Sequence, residues 1–107
     1  MSKPVVLITG GGKRIGAAVS KKLMEMGWYV LIHVNSSVEE ARKIISDFSS
    51  SNGNVSCGDV VTGNLLVDSD VDRLIADVIN HPAVIDSNGL SGLIHNASIY
   101  SSIEIDE

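Results

Sequence analysis

A glycine-rich turn is the feature of this sequence best suited to chemistry. The run Gly10-Gly11-Gly12-Lys13-Arg14-Ile15-Gly16 joins a buried apolar segment to a periodic helical one. Glycines in such a turn adopt positive φ and let backbone amides approach an anion, and the start of the next helix adds unpaired N–H groups. The turn therefore predicts a phosphate or pyrophosphate site, with Lys13 and Arg14 as cations beside it.

Spacing separates two kinds of phosphate site. A P-loop requires Gly-Lys-Ser/Thr after four intervening residues, whereas this turn continues into Ala17-Ala18, which disfavours nucleoside triphosphate hydrolysis. The usual dinucleotide pattern G-x-G-x-x-G matches Gly10 and Gly12 but meets Ile15 where glycine or alanine is expected. The pattern that does fit is Thr9-Gly10-x-x-x-Arg14-x-Gly16.

A second polar segment indicates which dinucleotide binds. After the second apolar run the chain reads His33-Val34-Asn35-Ser36-Ser37, with no acid before Glu39. An acid here would bind an adenosine ribose and repel a 2′-phosphate, so its absence favours NADP(H) over NAD(H). One charge-assisted bond from Lys13 or Arg14, about 1.5–3 kcal/mol, would decide the preference, since about 1.4 kcal/mol changes affinity tenfold. The alternative is that both cations are solvated loop charges.

The elements that position these groups alternate along the chain. Strands are predicted at residues 5–9, 28–34, 55–59 and 92–95, and apolar stripes at helical spacing fill residues 15–26, 38–48 and 71–79. Gly27 is placed to end the first helix, Ser37 with Glu40 has capping-box spacing, and His81-Pro82 ends the third helix. Strands that alternate with helices predict an α/β fold with a doubly wound parallel sheet.

Composition excludes several classes of protein. The 107 residues are 44% hydrophobic and carry a formal net charge of -5, which is unlike a disordered chain, a nucleic-acid-binding protein or a membrane-surface protein. The apolar runs are too short to span a bilayer. The single cysteine, Cys57, fits a reducing compartment, and we expect one cytoplasmic domain. The three histidines have no metal-ligand spacing, so no metal site is predicted.

Two motifs together carry a family resemblance. Thr9-Gly10-x-x-x-Arg14-x-Gly16 and Asn96-Ala97-Ser98 resemble the short-chain dehydrogenase/reductase family, and the arginine and the serine are similar to its pteridine reductase-like branch. The similarity runs from Pro4 to about Tyr100. It implies the N-terminal half of a Rossmann-type sheet with strand order 3-2-1-4, an NADP(H) cofactor, a small-molecule substrate and a homo-oligomeric full-length form. Residues 1–107 would then be a truncated NAD(P)-binding domain.

The resemblance also implies roles for single residues. His33 and Ser37 match positions that frame the 2′-phosphate, and Asp59 matches an acid, after the third strand, that binds the adenine amino group; its alternative is a helix or turn cap. Asn96 would brace the sheet. The cofactor-binding set is Gly10, Lys13, Arg14, Ile15, Gly16, His33, Asn35, Ser36, Ser37, Asp59, Asn96, Ala97 and Ser98; the substrate-binding set is Arg14, Ser98 and Tyr100, of which Tyr100 has a surface role as its alternative.

Proton-donating chemistry is not found in the chain. The family uses a serine and a Tyr-x-x-x-Lys pair, in which the lysine lowers the tyrosine pKa. Here Tyr29 is followed four residues on by His33, and Tyr100 by Glu104, so no catalytic residue is assigned. Two hypotheses follow: the cofactor-binding half of an NADP-dependent reductase, or a non-catalytic dinucleotide-binding module. We also expect the fourth strand to be an unpaired apolar edge.

Overall fold

A parallel sheet with helices on both faces forms the described part of the chain. A computed structural model of the protein describes residues 3–10 and 14–96. The strands lie in the order β3-β2-β1-β4 and all pair in parallel, which confirms the predicted doubly wound sheet and its strand order. The elements are β1 (Val5–Thr9), α1 (Arg14–Glu25), β2 (Tyr29–Val34), α2 (Val38–Ser51), β3 (Gly58–Thr62), α3 (Asp68–Ile79), α4 (Pro82–Asp86) and β4 (Gly92–His95).

The core is divided between the two faces of the sheet. Every residue of β1 is buried, as a central strand covered on both sides requires. Val6 and Ile8 belong to a cluster that includes Met24 of α1 and Ala41 of α2. The intervening residues Val5 and Leu7 belong to a second cluster, which contains Leu74 and Val78 of α3 and Val84 of α4. Alternate residues of one strand therefore hold helices on opposite faces.

The middle of the predicted stripe of α1 packs against the first core cluster, but its two ends do not. Ile15 and Met26 are mostly exposed, whereas Gly16, Ser20 and Met24 are buried. These three are spaced four residues apart and so lie on one side of the helix. The buried Ser20 hydroxyl donates to the Gly16 carbonyl at 2.8 Å. Small residues here let the start of α1 pack closely on the sheet beneath the glycine turn.

The third strand lies three residues further along the chain than predicted. Val55 is exposed, and pairing with β2 begins at Gly58 opposite Val30. A Cβ atom on Gly58 would lie 2.5 Å from the Val30 carbonyl oxygen, so only glycine fits this approach. The β-branched run 60–62 then forms most of the strand. Asp59 consequently lies near the beginning of β3, not after it.

A short fourth helix was not predicted. Proline at residue 82 does end α3, but it also occupies the first position of α4, where its missing N–H costs nothing. His81 caps this helix by accepting a hydrogen bond at Nδ1 from the Ala83 N–H at 3.1 Å. The helix buries Val84 against the second core cluster.

Apolar side chains remain accessible beside α3 and β4. Within the described residues β4 has a partner strand on one side, and Leu93 is 63% exposed, as expected of an apolar edge. An open groove of about 510 Å³ lies between α3, α4 and the segment before β4, and Ile75, Ile79 and Ile85 contribute to its lining. None of the described helices is long and apolar enough to cross a membrane.

Candidate functional site

The candidate site lies at the carboxyl edge of the sheet. The chain leaves β1 toward β2 and β3 on one side, and then crosses to β4 on the other side of β1. In parallel α/β sheets ligands bind at such a switch point, outside the carboxyl ends of the strands. The ends that meet here are Thr9, Val34, Thr62 and His95.

Gly10 is held from both neighbouring strands. Its φ of 66° lies in the left-handed region, where glycine is favoured. The Gly10 N–H donates to Nδ1 of His33 at 3.3 Å, and the Gly10 carbonyl accepts from Nδ2 of Asn96 at 3.2 Å. The entry to the glycine turn is thus bonded to residues that follow β4 and lie within β2.

His33 connects this turn to the end of the third strand. The side chain is buried, and its Nε2 lies 2.8 Å from the Gly63 carbonyl oxygen. Since Nδ1 accepts from Gly10, the hydrogen is on Nε2 and donates to Gly63. Both ring nitrogens therefore already have backbone partners. The contact with a 2′-phosphate that the resemblance implied for His33 stays a prediction.

The ends of β1 and β4 are joined through Thr9. The Asn96 N–H donates to both the Thr9 hydroxyl oxygen at 3.0 Å and the Thr9 carbonyl at 3.1 Å. The same hydroxyl lies 2.9 Å from Nδ1 of His95. These bonds place Asn96 beside Gly10, so that one asparagine contacts both the strand and the turn.

The loop after β2 presents polar groups at the same edge. Asn35 and Ser36 are exposed. Ser37 is the N-cap residue of α2, as predicted, but its hydroxyl makes no capping hydrogen bond, so the bond that Ser37 would contribute to the predicted capping box is not formed. The Ser37 carbonyl accepts the first hydrogen bond of the helix, from the Ala41 N–H at 3.2 Å.

The remaining predicted residues of the turn lie at the start of α1. Ile15 is 71% exposed, so its side chain lines the surface of the site, and Gly16 is buried beneath it. Arg14 is the first residue of α1, and its side chain lies outside what the structure describes. The other predicted site residues outside the described part of the chain are Lys13, Ala97, Ser98 and Tyr100.

Asp59 is at the opposite edge of the sheet, which makes its predicted position wrong. It pairs with Leu31 in the first half of β3. One carboxylate oxygen accepts from the Val60 N–H at 2.8 Å, and the other lies 2.8 Å from Nε2 of His81. Neither contact is the helix or turn cap that was the alternative role, and the contact of Asp59 with an adenine stays a prediction.

Asn64 also lies at this edge, although it was not among the predicted site residues. It follows β3 after Gly63, and its side-chain oxygen accepts from the Leu66 N–H at 2.9 Å. Its own N–H donates to Asp70 of α3 at 2.8 Å. The signal was present in the β-branched run before Gly63-Asn64, a pair typical of the turn that ends a strand.

Tyr29, His81 and Asp59 form a second polar cluster, at the amino edge. The Tyr29 and His81 ring centroids are 5.8 Å apart. Burial raises the pKa of Tyr29 above its ordinary value of 10.0, the charges of Asp59 and Cys57 add to the rise, and a hydrogen bond with Ser56 opposes it. Within the described residues, no group of three His, Cys, Asp or Glu side chains could hold a metal ion.

A parallel α/β sheet with a glycine turn fixed at its carboxyl edge defines a Rossmann-like protein. The model of the short chain dehydrogenase family matches residues 4–107, and the chain belongs to this family. Members of the family bind nicotinamide dinucleotide cofactors. The solved structure of a dehydrogenase/reductase from Sinorhizobium meliloti superimposes with a TM-score of 0.73 at 21% identity, over 92% of this chain and 36% of that one, which shows the fold.

Two relatives from Bacillus subtilis differ in length. A probable 2,4-dienoyl-CoA reductase is 34% identical over 100 residues, which are 92% of this chain and 35% of that protein. The short-chain dehydrogenase/reductase homolog YusS is 28% identical over 103 residues, 96% of this chain and 87% of that protein. The chain thus spans about a third of the first relative. These names support the family and not its pteridine reductase-like branch.

Proposed function

We propose that this chain is the cofactor-binding, N-terminal part of an NADPH-dependent reductase of the short-chain family. The observation that carries the proposal is the Gly10 turn, held at the switch point of the sheet by His33 and Asn96. The start of α1 lies at the carboxyl edge of the sheet, where a pyrophosphate binds in parallel α/β sheets. On the resemblance, we also propose a cytoplasmic homo-oligomer as the full-length form.

A preference for NADP(H) over NAD(H) is part of the proposal. The exposed Asn35 and Ser36 follow β2 with no acid among them, so a 2′-phosphate meets no repulsion there. Lys13 and Arg14 supply positive charge from the glycine turn. We assign the contact with the adenine to Asn64, which follows the end of β3, because Asp59 lies near the beginning of that strand.

The proposed reaction is hydride transfer from NADPH to a pteridine-like ring or another carbonyl or imine group. Arg14, Ser98 and Tyr100 would contact the substrate, and an aromatic ring at residue 100 would stack on a planar heterocycle. A proton donor must complete the reduction, and we place it in the portion of longer relatives that this chain does not span. The name of the first relative, a probable 2,4-dienoyl-CoA reductase, suggests a dienoyl-CoA as the alternative substrate.

Cofactor titration tests the proposal. We expect NADPH to bind the 107-residue chain more tightly than NADH, and Arg14→Ala to reduce that ratio about tenfold through the loss of one charge-assisted bond. The matched control is Arg42→Ala, because Arg42 is exposed on α2 and pairs with Glu39 at 3.8 Å. An unchanged ratio in Arg14→Ala refutes the role of that arginine, and no binding of either cofactor refutes the function.

A non-catalytic dinucleotide-binding module is the second candidate. It is favoured by YusS, since 87% of that relative is matched by this chain. NADPH oxidation in the presence of a dihydropteridine or a dienoyl-CoA separates the two candidates in the full-length protein. Turnover with either substrate supports the reductase, whereas cofactor binding without turnover supports the module.

A further inference from the structure

His95 is the last residue of β4 and lies at the carboxyl edge of the sheet. It pairs with Thr9 of β1, and its Nδ1 is 2.9 Å from the Thr9 hydroxyl oxygen. The same hydroxyl accepts from the Asn96 N–H at 3.0 Å. One nitrogen of the His95 ring is therefore held by the side chain that joins the ends of β1 and β4.

The other ring nitrogen of His95 has no use in the fold. The residue is exposed, and within the described part of the chain its Nε2 has no hydrogen-bond partner. The other two histidines differ, because both ring nitrogens of His33 and both of His81 already have partners. His95 thus combines an anchored ring with an unused nitrogen, at the edge of the sheet where ligands bind.

The strand order indicates which half of a dinucleotide reaches His95. A sheet of this kind binds a dinucleotide across the switch point, with the adenosine ribose at the end of β2 and the pyrophosphate at the start of the helix after β1. Here β2 and β3 lie on one side of β1, and β4 lies on the other. Since neighbouring strands are about 4.8 Å apart, the nicotinamide half continues from the pyrophosphate toward the end of β4, where His95 lies.

We propose that Nε2 of His95 binds a ribose hydroxyl in the nicotinamide half of the cofactor. This ribose is the group that follows the pyrophosphate directly. A hydroxyl both donates and accepts, so it can pair with Nε2 in either tautomer of the ring. The inference rests on the proposed cofactor-binding function, and it adds to the site a residue that binds the cofactor without a part in proton transfer.

Titration of the 107-residue chain with two ligands tests the contact. NADPH and adenosine 2′,5′-bisphosphate share the adenosine half, but the bisphosphate lacks the nicotinamide half. We expect His95→Ala to bind NADPH about five- to tenfold more weakly, the effect of one lost hydrogen bond, and to bind the bisphosphate as wild type does. His81→Ala is the matched control, because His81 contacts Asp59 near the beginning of β3; it should bind both ligands as wild type does.

The outcomes separate this contact from the proposed function. A wild-type chain that binds neither ligand overturns the proposed function. If wild type binds both, unchanged NADPH affinity in His95→Ala overturns the contact; so does equal weakening for the two ligands, which would mean that the ring acts through Thr9 and Asn96. Should the variant not fold, NMR of wild type decides: the His95 ring protons should shift with NADPH and not with the bisphosphate, and a shift with both or with neither overturns the contact.

Discussion

His33 and His81 each accept a backbone N–H bond at Nδ1, yet they lie at opposite edges of the sheet. The Nε2 partner of His33 is the neutral Gly63 carbonyl, and the ring is 2% exposed. The Nε2 partner of His81 is the Asp59 carboxylate, and the side chains are 13% and 56% exposed respectively. The same bond at Nδ1 is therefore made by a buried ring between two backbone groups at the carboxyl edge, whereas at the amino edge the ring also contacts a solvent-exposed carboxylate.

The largest loss of stability should follow from removing the buried ring of His33. We expect His33→Ala to lower the free energy of unfolding by about 2–5 kcal/mol, because it leaves a cavity and removes the partners of the buried Gly63 carbonyl and the half-buried Gly10 N–H. Urea denaturation at neutral pH measures the loss. A loss under about 1 kcal/mol would mean that water enters and replaces the imidazole, and that the bridge between Gly10 and Gly63 has little energetic importance.

A substitution at Gly10 separates strain from function. Gly10→Ala places a side chain at φ 66°, and we expect it to cost about 1–2 kcal/mol of stability and to abolish tight cofactor binding, since the turn cannot keep its conformation. Gly53→Ala is the matched control: its φ is 72°, and an added Cβ would meet no atom within 4 Å.

Thermal denaturation and NADPH titration compare the two alanine variants. Both should lose similar stability, but the control should keep the affinity of wild type. Equal weakening of cofactor binding in both would show that strain anywhere in the domain lowers affinity, and would remove the specific role of the Gly10 turn.

The strands differ in how well their positions could be predicted from the sequence. The bounds of β1 and β4 were predicted correctly, because a strand buried on both faces, or an apolar run before a turn, has a local signature. The position of β3 was not, since Gly58 is selected by a close approach to β2 that no local pattern reveals. Because β3 was predicted three residues too early, Asp59 was expected at the carboxyl edge, whereas it lies near the beginning of the strand.

The contacts that build the candidate site have no local signal at all. Gly10 is bonded to residues 23 and 86 positions away along the chain. Glycine spacing predicted where the turn lies, whereas its anchoring depends on strand order and register. Two of the most buried positions of α1 were missed for a related reason: Gly16 and Ser20 are small and not strongly apolar, so a pattern of apolar residues does not include them.

At the amino edge we expect a smaller loss of folding stability. His81→Ala removes the cap of α4 and the hydrogen bond from Nε2 to an exposed carboxylate, contributions of about 0.5–2 and 0.5–1.5 kcal/mol in other proteins, so we expect about 1 kcal/mol in urea denaturation. Asp59→Asn should cost less, because the cap remains. A loss in His81→Ala as large as that of His33→Ala would contradict the difference drawn between the two histidines.

The smallest effect tests Tyr29, whose ring lies against His81. Burial raises the pKa of its phenol above 10.0, so the folded state holds this proton more tightly than the unfolded chain. The resulting stability is fully present below pH 10.0 and is lost as the pH rises through the folded-state pKa. Tyr29→Phe should therefore lose less stability than wild type between neutral and strongly alkaline solution, as followed by urea denaturation at successive pH values. Parallel losses in both proteins would show that Tyr29 ionises as easily in the folded chain as in the unfolded one, and that the amino edge is as open to water at Tyr29 as it is at Asp59.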